Sequence, residues 1–292
     1  MRLLMFVLLL LALPAHAACP PDGYDPASLQ ALKARQFATP DAATRHVLAQ
    51  GLVDCLGDPD PAIRDGIAYE ALAHWMRAAE LDAASLRSLR DRLYVLIEQP
   101  NADGFRRPFA ALVLSEVART DRIAPWMTSQ ERAMMVERAA GFVEGVSDYR
   151  GYDDREGWRH GVAHGADWLM QLSLNPALPP AQLDRILLAV ATQVVPAASH
   201  AYVFGEPARL ARPVQFIAAR GLHSDAQWQA WFSTLAPRLG DPALAYVDSG
   251  WLARHHDLQA FLDALYLAAD RSGNAQVGRL KPIVAAALDA LP

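Results

Sequence analysis

Residues 58–64 read Asp58-Pro59-Asp60-Pro61-Ala62-Ile63-Arg64, and the chain runs on through Ala68 to Leu72. Two Asp-Pro steps in succession decide the local structure. The residue before a proline is pushed out of the helical region, while a proline at the first helical position forfeits no hydrogen bond. A helix therefore starts at Pro61, with Asp60 placed to cap its free N–H groups. Ala68 and Leu72, four residues apart, share the face that such a helix buries. Outward from this stretch, apolar residues at helical spacing alternate with short breakers. The pattern predicts helices near 26–38, 41–56, 61–79, 84–98, 106–119, 128–146, 154–173, 180–194, 206–221, 224–238, 250–270 and 276–290. Thr128-Ser129-Gln130-Glu131 has the form of a capping box. Alanine and arginine, both good helix formers, are abundant, and no strand candidate stands beside this pattern.

The tight Asp/Pro turn, the Ile63-Arg64 step and the small and large core residues after it resemble one unit of a HEAT repeat. Short-linked helix pairs recurring about every 40 residues suit that architecture. The expected fold is all-α: a HEAT-like α-solenoid, a right-handed stack of antiparallel helix pairs. No linker or composition shift divides residues 18–292, which read as a single helical-repeat domain.

Of the 292 residues, 52% are hydrophobic and 20% charged, with a formal net charge of −5. That balance excludes a disordered or collagen-like chain and gives no basic surface for nucleic acid. Met1-Arg2, an apolar run from Leu3 to Leu13, and Ala15-His16-Ala17 have the three parts of a secretory signal. Residues 1–17 are expected to be removed on export to the periplasm or medium. No later apolar run is long enough for a membrane span. The two cysteines, Cys19 and Cys55, are expected to pair in an oxidising compartment. Such a bridge closes a loop of roughly 35 residues and is worth about 3–4 kcal/mol by chain entropy. The competing reading is a lipid-anchored Cys19, against which His16 stands where an aliphatic residue is usual.

The most unusual stretch runs from Ser147 to Trp168 and is dense in glycine, histidine, tryptophan and acids. On a continuous helix, Glu156, His160, His164, Asp167 and Gln171 fall within about 80° of one another. Gly157, Gly161 and Gly165 form an adjacent stripe, which in a helix needs compensation from a close neighbour. His160 and His164 at i, i+4, with Asp167 one turn on, have the spacing to ligate a divalent metal. The zinc-peptidase pattern places a glutamate after the first histidine, and Gly161 stands there instead. Three readings stay open: a polar network ordering the stack, an organic-ligand pocket, and a metal site. Downstream, His200, Glu206 and Arg209 can line the same groove. Glu206 and Arg209 also have the i, i+3 spacing of an ordinary helix pair.

The Gly-Trp-x-His-x-x-x-His-x-x-Asp pattern from Gly157 to Asp167 resembles the hallmark of the bacterial domain-of-unknown-function family 2785. Arg64-Asp65-Gly66-Ile67-Ala68-Tyr69-Glu70, Arg107-Pro108-Phe109-Ala110 and Phe261-Leu262-Asp263-Ala264-Leu265-Tyr266 fit the same family, over roughly residues 25 to 290. Pro108 stands where that family often has a serine. The resemblance implies a helical-repeat fold with a shared polar centre, and no activity.

The leading functional expectation is an exported binding module with a concave site made by Asp153, Glu156, Trp158, His160, His164, Asp167, His200, Glu206 and Arg209. Its partner is a peptide, a glycan or a small anionic ligand. The alternative is a metal-dependent hydrolase in which His160, His164 and Asp167 hold the metal and Glu156 or Asp153 acts as general base. No other cofactor is called for, because phosphate loops, dinucleotide fingerprints and nucleophile elbows are all missing from the sequence.

Overall fold

A computed structural model describes residues 19–292. The expected secretory signal, residues 1–17, lies outside the described residues. In chain order come α1 (Pro26–Ala34), α2 (Ala42–Leu52) and a short 3-10 turn (Asp54–Gly57). Next, α3 (Pro61–Ile63) continues through a π-helical turn (Arg64–Tyr69) into α4 (Glu70–Arg77). Helices α5 (Ala83–Glu98), α6 (Arg106–Ile123) and α7 (Ser129–Glu144) follow, then two-residue strands β1 (Tyr152–Asp153) and β2 (Gly157–Trp158). The rest is α8 (Gly161–Ser173), α9 (Pro180–Val194), α10 (Glu206–Ala219), α11 (Asp225–Ser233), α12 (Ser249–Asp270), α13 (Ala275–Gly278) and α14 (Leu280–Asp289). The fold is all-α apart from that one small hairpin. No helix among the described residues is long and apolar enough to cross a membrane.

Local chemistry sets the helix starts as the sequence suggests. Asp60 accepts from the N–H of Ala62 at 2.8 Å ahead of Pro61, and the Asp58 side chain accepts from the N–H of Asp60 at 2.9 Å. Thr128 and Glu131 form the reciprocal capping box at the head of α7. Cys19 and Cys55 are joined by a disulfide, which ties the first described residues to the 3-10 turn.

Packing arranges these helices in a row. Helices α4, α6, α8, α10, α12 and α14 each pack on the next, while α5, α7 and α9 lie against α6, α8 and α10. One hydrophobic cluster runs through the row from Leu29 to Val284. Trp75, Trp168 and Trp251 are its largest fully buried members. Burying side chains of this size contributes about 1.5–3 kcal/mol each, before the entropy of ordering them.

The expected helix over 154–173 needs correction, because it begins only at Gly161. Ahead of it the chain makes an antiparallel hairpin, with Tyr152 opposite Trp158 and Asp153 opposite Gly157. Three features forbid helix there. The Asp153 carboxylate accepts from the N–H groups of Arg155 (2.8 Å) and Glu156 (3.0 Å), closing a turn. Gly157 sits at φ +73°, a left-handed conformation that glycine reaches at least cost. His160 is also left-handed, at φ 57° and ψ 40°. Once α8 has begun, Gly165 lets α7 approach closely, since a Cβ there would lie 2.7 Å from a Val143 methyl.

Candidate functional site

The hairpin is anchored from two sides. Arg64, fully buried, donates to the carbonyls of Asp58 (2.9 Å) and Glu156 (2.7 Å) and pairs with Asp65 at 2.7 Å. Arg159 donates to the Asp103 carbonyl at 2.7 Å and to the Glu156 carboxylate at 2.8 Å. Both guanidinium groups stack on the Phe105 ring, at 4.1 and 4.2 Å from its centroid. This anchoring carries Trp158 to the mouth of a cleft of about 480 Å³.

Four successive stretches of the row line that cleft. The π-helical turn and the start of α4 contribute Asp65, Tyr69 and Glu70, and α6 contributes Phe109 and Leu112. Beside them lie His160, His164 and Asp167 at the head of α8, with Arg209 of α10 and Phe204 just before it. A π-helical turn is rare and tends to occur at functional sites. The rings form a continuous set. Trp158 lies 4.6 Å from His160 and 5.8 Å from Phe204, while His160 and His164 stand nearly perpendicular at 5.8 Å. Trp158 and Phe204 are 36% and 39% exposed, whereas both histidines are buried.

Each polar group on the floor has a fixed partner behind it. His164 Nδ1 faces the Pro108 carbonyl at 3.2 Å, so Nδ1 carries the proton and Nε2 keeps a lone pair. Burial, with help from the nearby His160, drops the His164 imidazole from the usual 6.5 to about 3. It is therefore neutral at physiological pH. His160 Nδ1 faces Glu206 Oε1 at 3.4 Å. Burial favours the neutral form of Glu206, but its bonds to His160 and to the N–H of Phe204 (2.9 Å) win and hold the carboxyl below its usual range. Asp167 pairs with Arg209 and lies 3.7 Å from Arg212. For this residue burial outweighs the arginines and raises the carboxyl.

The loop that delivers Phe204 is itself pinned. Asp257 of α12, fully buried, accepts from the N–H of Tyr202 at 2.8 Å, and the Tyr202 hydroxyl donates to Gln193 at 3.0 Å. Gln193 in turn donates to the carbonyls of Val143 and Val146 at 2.9 and 3.0 Å. Burial raises the Asp257 carboxyl to about 6.

Of the residues singled out from sequence, Trp158, His160, His164, Asp167 and Arg209 line one cleft, with Glu206 directly behind His160. Asp153 and Glu156 lie outside it, spent on the hairpin turn and on Arg159. His200 stacks on Tyr149 at 5.2 Å, also away from the cleft. Glu206 and Arg209 do not pair, because Glu206 turns inward to His160 and Arg209 reaches across to Asp167. The three residues expected as metal ligands, His160, His164 and Asp167, share the cleft, but Asp167 is otherwise engaged. Two arginines engage Asp167, and among the described residues no group of three histidine, cysteine or acidic side chains is placed to hold a metal ion. Asp65, Tyr69 and Glu70 enter the site without any catalytic signature in sequence. Their presence in the Arg64–Glu70 stretch that resembles the family was the one available sign.

No match is found among curated proteins or among solved structures. A family model described as a protein of unknown function, DUF2785, matches residues 93–267. The matched span is shorter than the resemblance suggests and begins after Asp65, Tyr69 and Glu70, yet it holds every cleft residue of α6, α8 and α10. Since it covers well over half of the chain, the protein belongs to the DUF2785 family.

Proposed function

We propose that this chain is an exported binding module, one helical-repeat unit over residues 18–292 after loss of residues 1–17. In this reading α4, α6, α8 and α10 form the inner layer of a solenoid. The cleft on that layer takes a small organic ligand against Trp158, Phe204, His160, His164 and Arg209. One observation carries the reading: two large aromatic side chains stay more than a third exposed over a floor of buried polar groups. Apolar surface left open beside convergent polar groups is the usual signature of a small-molecule site, and about 480 Å³ falls within the range such sites occupy. The links from His164 to Pro108 and from Asp167 to Arg209 also tie α8 to α6 and α10. They give the floor the rigidity that a preorganised site needs.

A fragment library screened by protein-observed NMR tests the cleft without assuming a ligand class. Hits should cluster on the signals of Trp158, His160, His164 and Arg209. Fragments that bind elsewhere on the protein and leave those signals unmoved would refute the reading and leave the polar floor a purely structural device.

A further inference from the structure

Next to the cleft lies a second depression of about 460 Å³, lined by Phe37, Ala73, His74 and Arg77 and sharing Tyr69 and Glu70 with the first. Sequence spacing makes Glu70, His74 and Arg77 look like an intrahelical polar stripe. In the fold they turn to other elements: Glu70 to Lys33 at 2.8 Å, Arg77 to Glu116, and His74 to the Phe37 ring at 5.8 Å. The two depressions adjoin at Tyr69 and Glu70, where the π-helical turn passes into α4, and together they make a two-part groove.

Building on the binding reading above, we infer that this groove takes an uncharged oligosaccharide, with successive sugar units in two adjoining subsites that share Tyr69 and Glu70.

Charge balance is the first argument. Every charged side chain facing the groove among the described residues already has an opposite partner: Asp65 has Arg64, Glu70 has Lys33, Arg77 has Glu116, and Asp167 has Arg209 and Arg212. His164 adds no charge at neutral pH. A cationic ligand would have to break one of these pairs and an anionic one would compete with Asp167 for its two arginines, whereas a neutral ligand leaves every pair intact. Paired groups still have bonding capacity to spare. A guanidinium has five N–H donors, a carboxylate about four acceptor sites, and His164 Nε2 and the Tyr69 hydroxyl each accept. Sugar hydroxyls both donate and accept, so they suit a surface offering donors and acceptors in alternation.

The second argument is the ring faces. Trp158 and Phe204 stand part-exposed at one end of the groove and Tyr69 is half-buried at its middle. Aromatic rings bury the apolar C–H face of a sugar while leaving its hydroxyls to the polar floor. An extended peptide is less well served. It would need a long exposed sheet edge or a run of free backbone groups to meet its own N–H and C=O, and apart from the two-residue strand carrying Trp158 and the loop carrying Phe204 the groove walls are helices whose backbone is already bonded.

Calorimetric titration of the full chain tests the inference with named probes: glucose, the cello- and malto-oligosaccharides, the N-acetylglucosamine oligomers, oligogalacturonate and a mixed-sequence decapeptide. At least one neutral series should bind, with the dimer about ten-fold tighter than the monomer because two subsites engage. Raising salt from about 0.05 to about 0.5 M should leave that affinity unchanged, since no net charge is neutralised. Trp158→Ala should weaken binding about ten-fold and Trp158→Phe restore part of it, while His74→Ala should erase the gain from the second unit and spare monomer binding. Binding of oligogalacturonate or the decapeptide alone, lost in Trp158→Ala, would overturn the sugar class and leave the cleft reading standing. Binding of none of the probes would also overturn the sugar inference, and the NMR fragment screen then decides the fate of the cleft itself.

Discussion

His164 is neutral in the fold because its ring is buried, near His160, Arg209 and Arg64, and this outweighs the Nδ1 hydrogen bond to the Pro108 carbonyl, which favours the charged form. The unfolded chain has no such constraint and takes up a proton near pH 6.5. Between there and about pH 3 the unfolded state binds one more proton than the folded state, so stability falls as pH falls. The slope is about 1.4 kcal/mol per pH unit for one group. Asp257 acts in the opposite sense. Its folded value of about 6 lies above the ordinary 3.8, so across that interval the folded state holds the extra proton. The two effects partly cancel in the intact protein, which makes the difference between variants the informative quantity. His164→Asn keeps a donor for the Pro108 carbonyl and removes the titrating ring. Chemical denaturation at a series of pH values should show the intact protein losing stability relative to His164→Asn by about 1.4 kcal/mol per unit from roughly pH 6 to 4. Parallel curves would mean that His164 titrates normally and is not desolvated.

A hairpin with two residues in each strand cannot stand alone, so β1 and β2 depend on what grips them. That grip is Arg64, whose planar fork meets several carbonyls at once, and a lysine cannot reproduce it. Arg64→Lys keeps a positive charge for Asp65 and should cost about 1–3 kcal/mol through the lost hydrogen bonds. Its sharper readout is local. Trypsin should cut after the exposed Arg155 markedly faster in the variant, and an unchanged rate there would show that the hairpin holds its shape without Arg64. The same contact explains what could be read from sequence. Helices such as α9 were legible because their start and end signals lie within a few residues. The hairpin was not, because its local traces, the Asp153 turn and Gly157, are slight and the bond that anchors it spans 92 positions. Glu206 and Arg209 tell the same story: spacing alone suggests a pair, and the placement of α10 beside α8 gives each another partner.

At the scale of the whole molecule, the Asp58–Leu72 stretch opens the helical segment that ends in α4, and α4, α6, α8, α10, α12 and α14 each pack on the next. The row brings His160, His164, Asp167 and Arg209 together from two helices that the sequence already flags. Asp65 and Tyr69 join them because the π-helical turn widens the helix by one residue there, an event without a sequence mark. In a row of this kind each helix is held mainly by its neighbours, so the ends open first. Helices α1 and α2 form the N-terminal end of the described row. The Cys19–Cys55 bridge, with a sequence separation of 36, closes this end onto the 3-10 turn. A loop of that size is worth about 3–4 kcal/mol by chain entropy. Because the constraint is confined to one end, that stabilisation should not spread evenly. Cys19→Ala with Cys55→Ala should speed amide exchange across residues 26–52 by about a hundred-fold or more, a factor of ten for each 1.4 kcal/mol. Exchange in α8 and α10, at the centre of the row, should change far less. A uniform rise from α1 to α14 would show that the chain unfolds as one cooperative unit, with the bridge stabilising all of it equally.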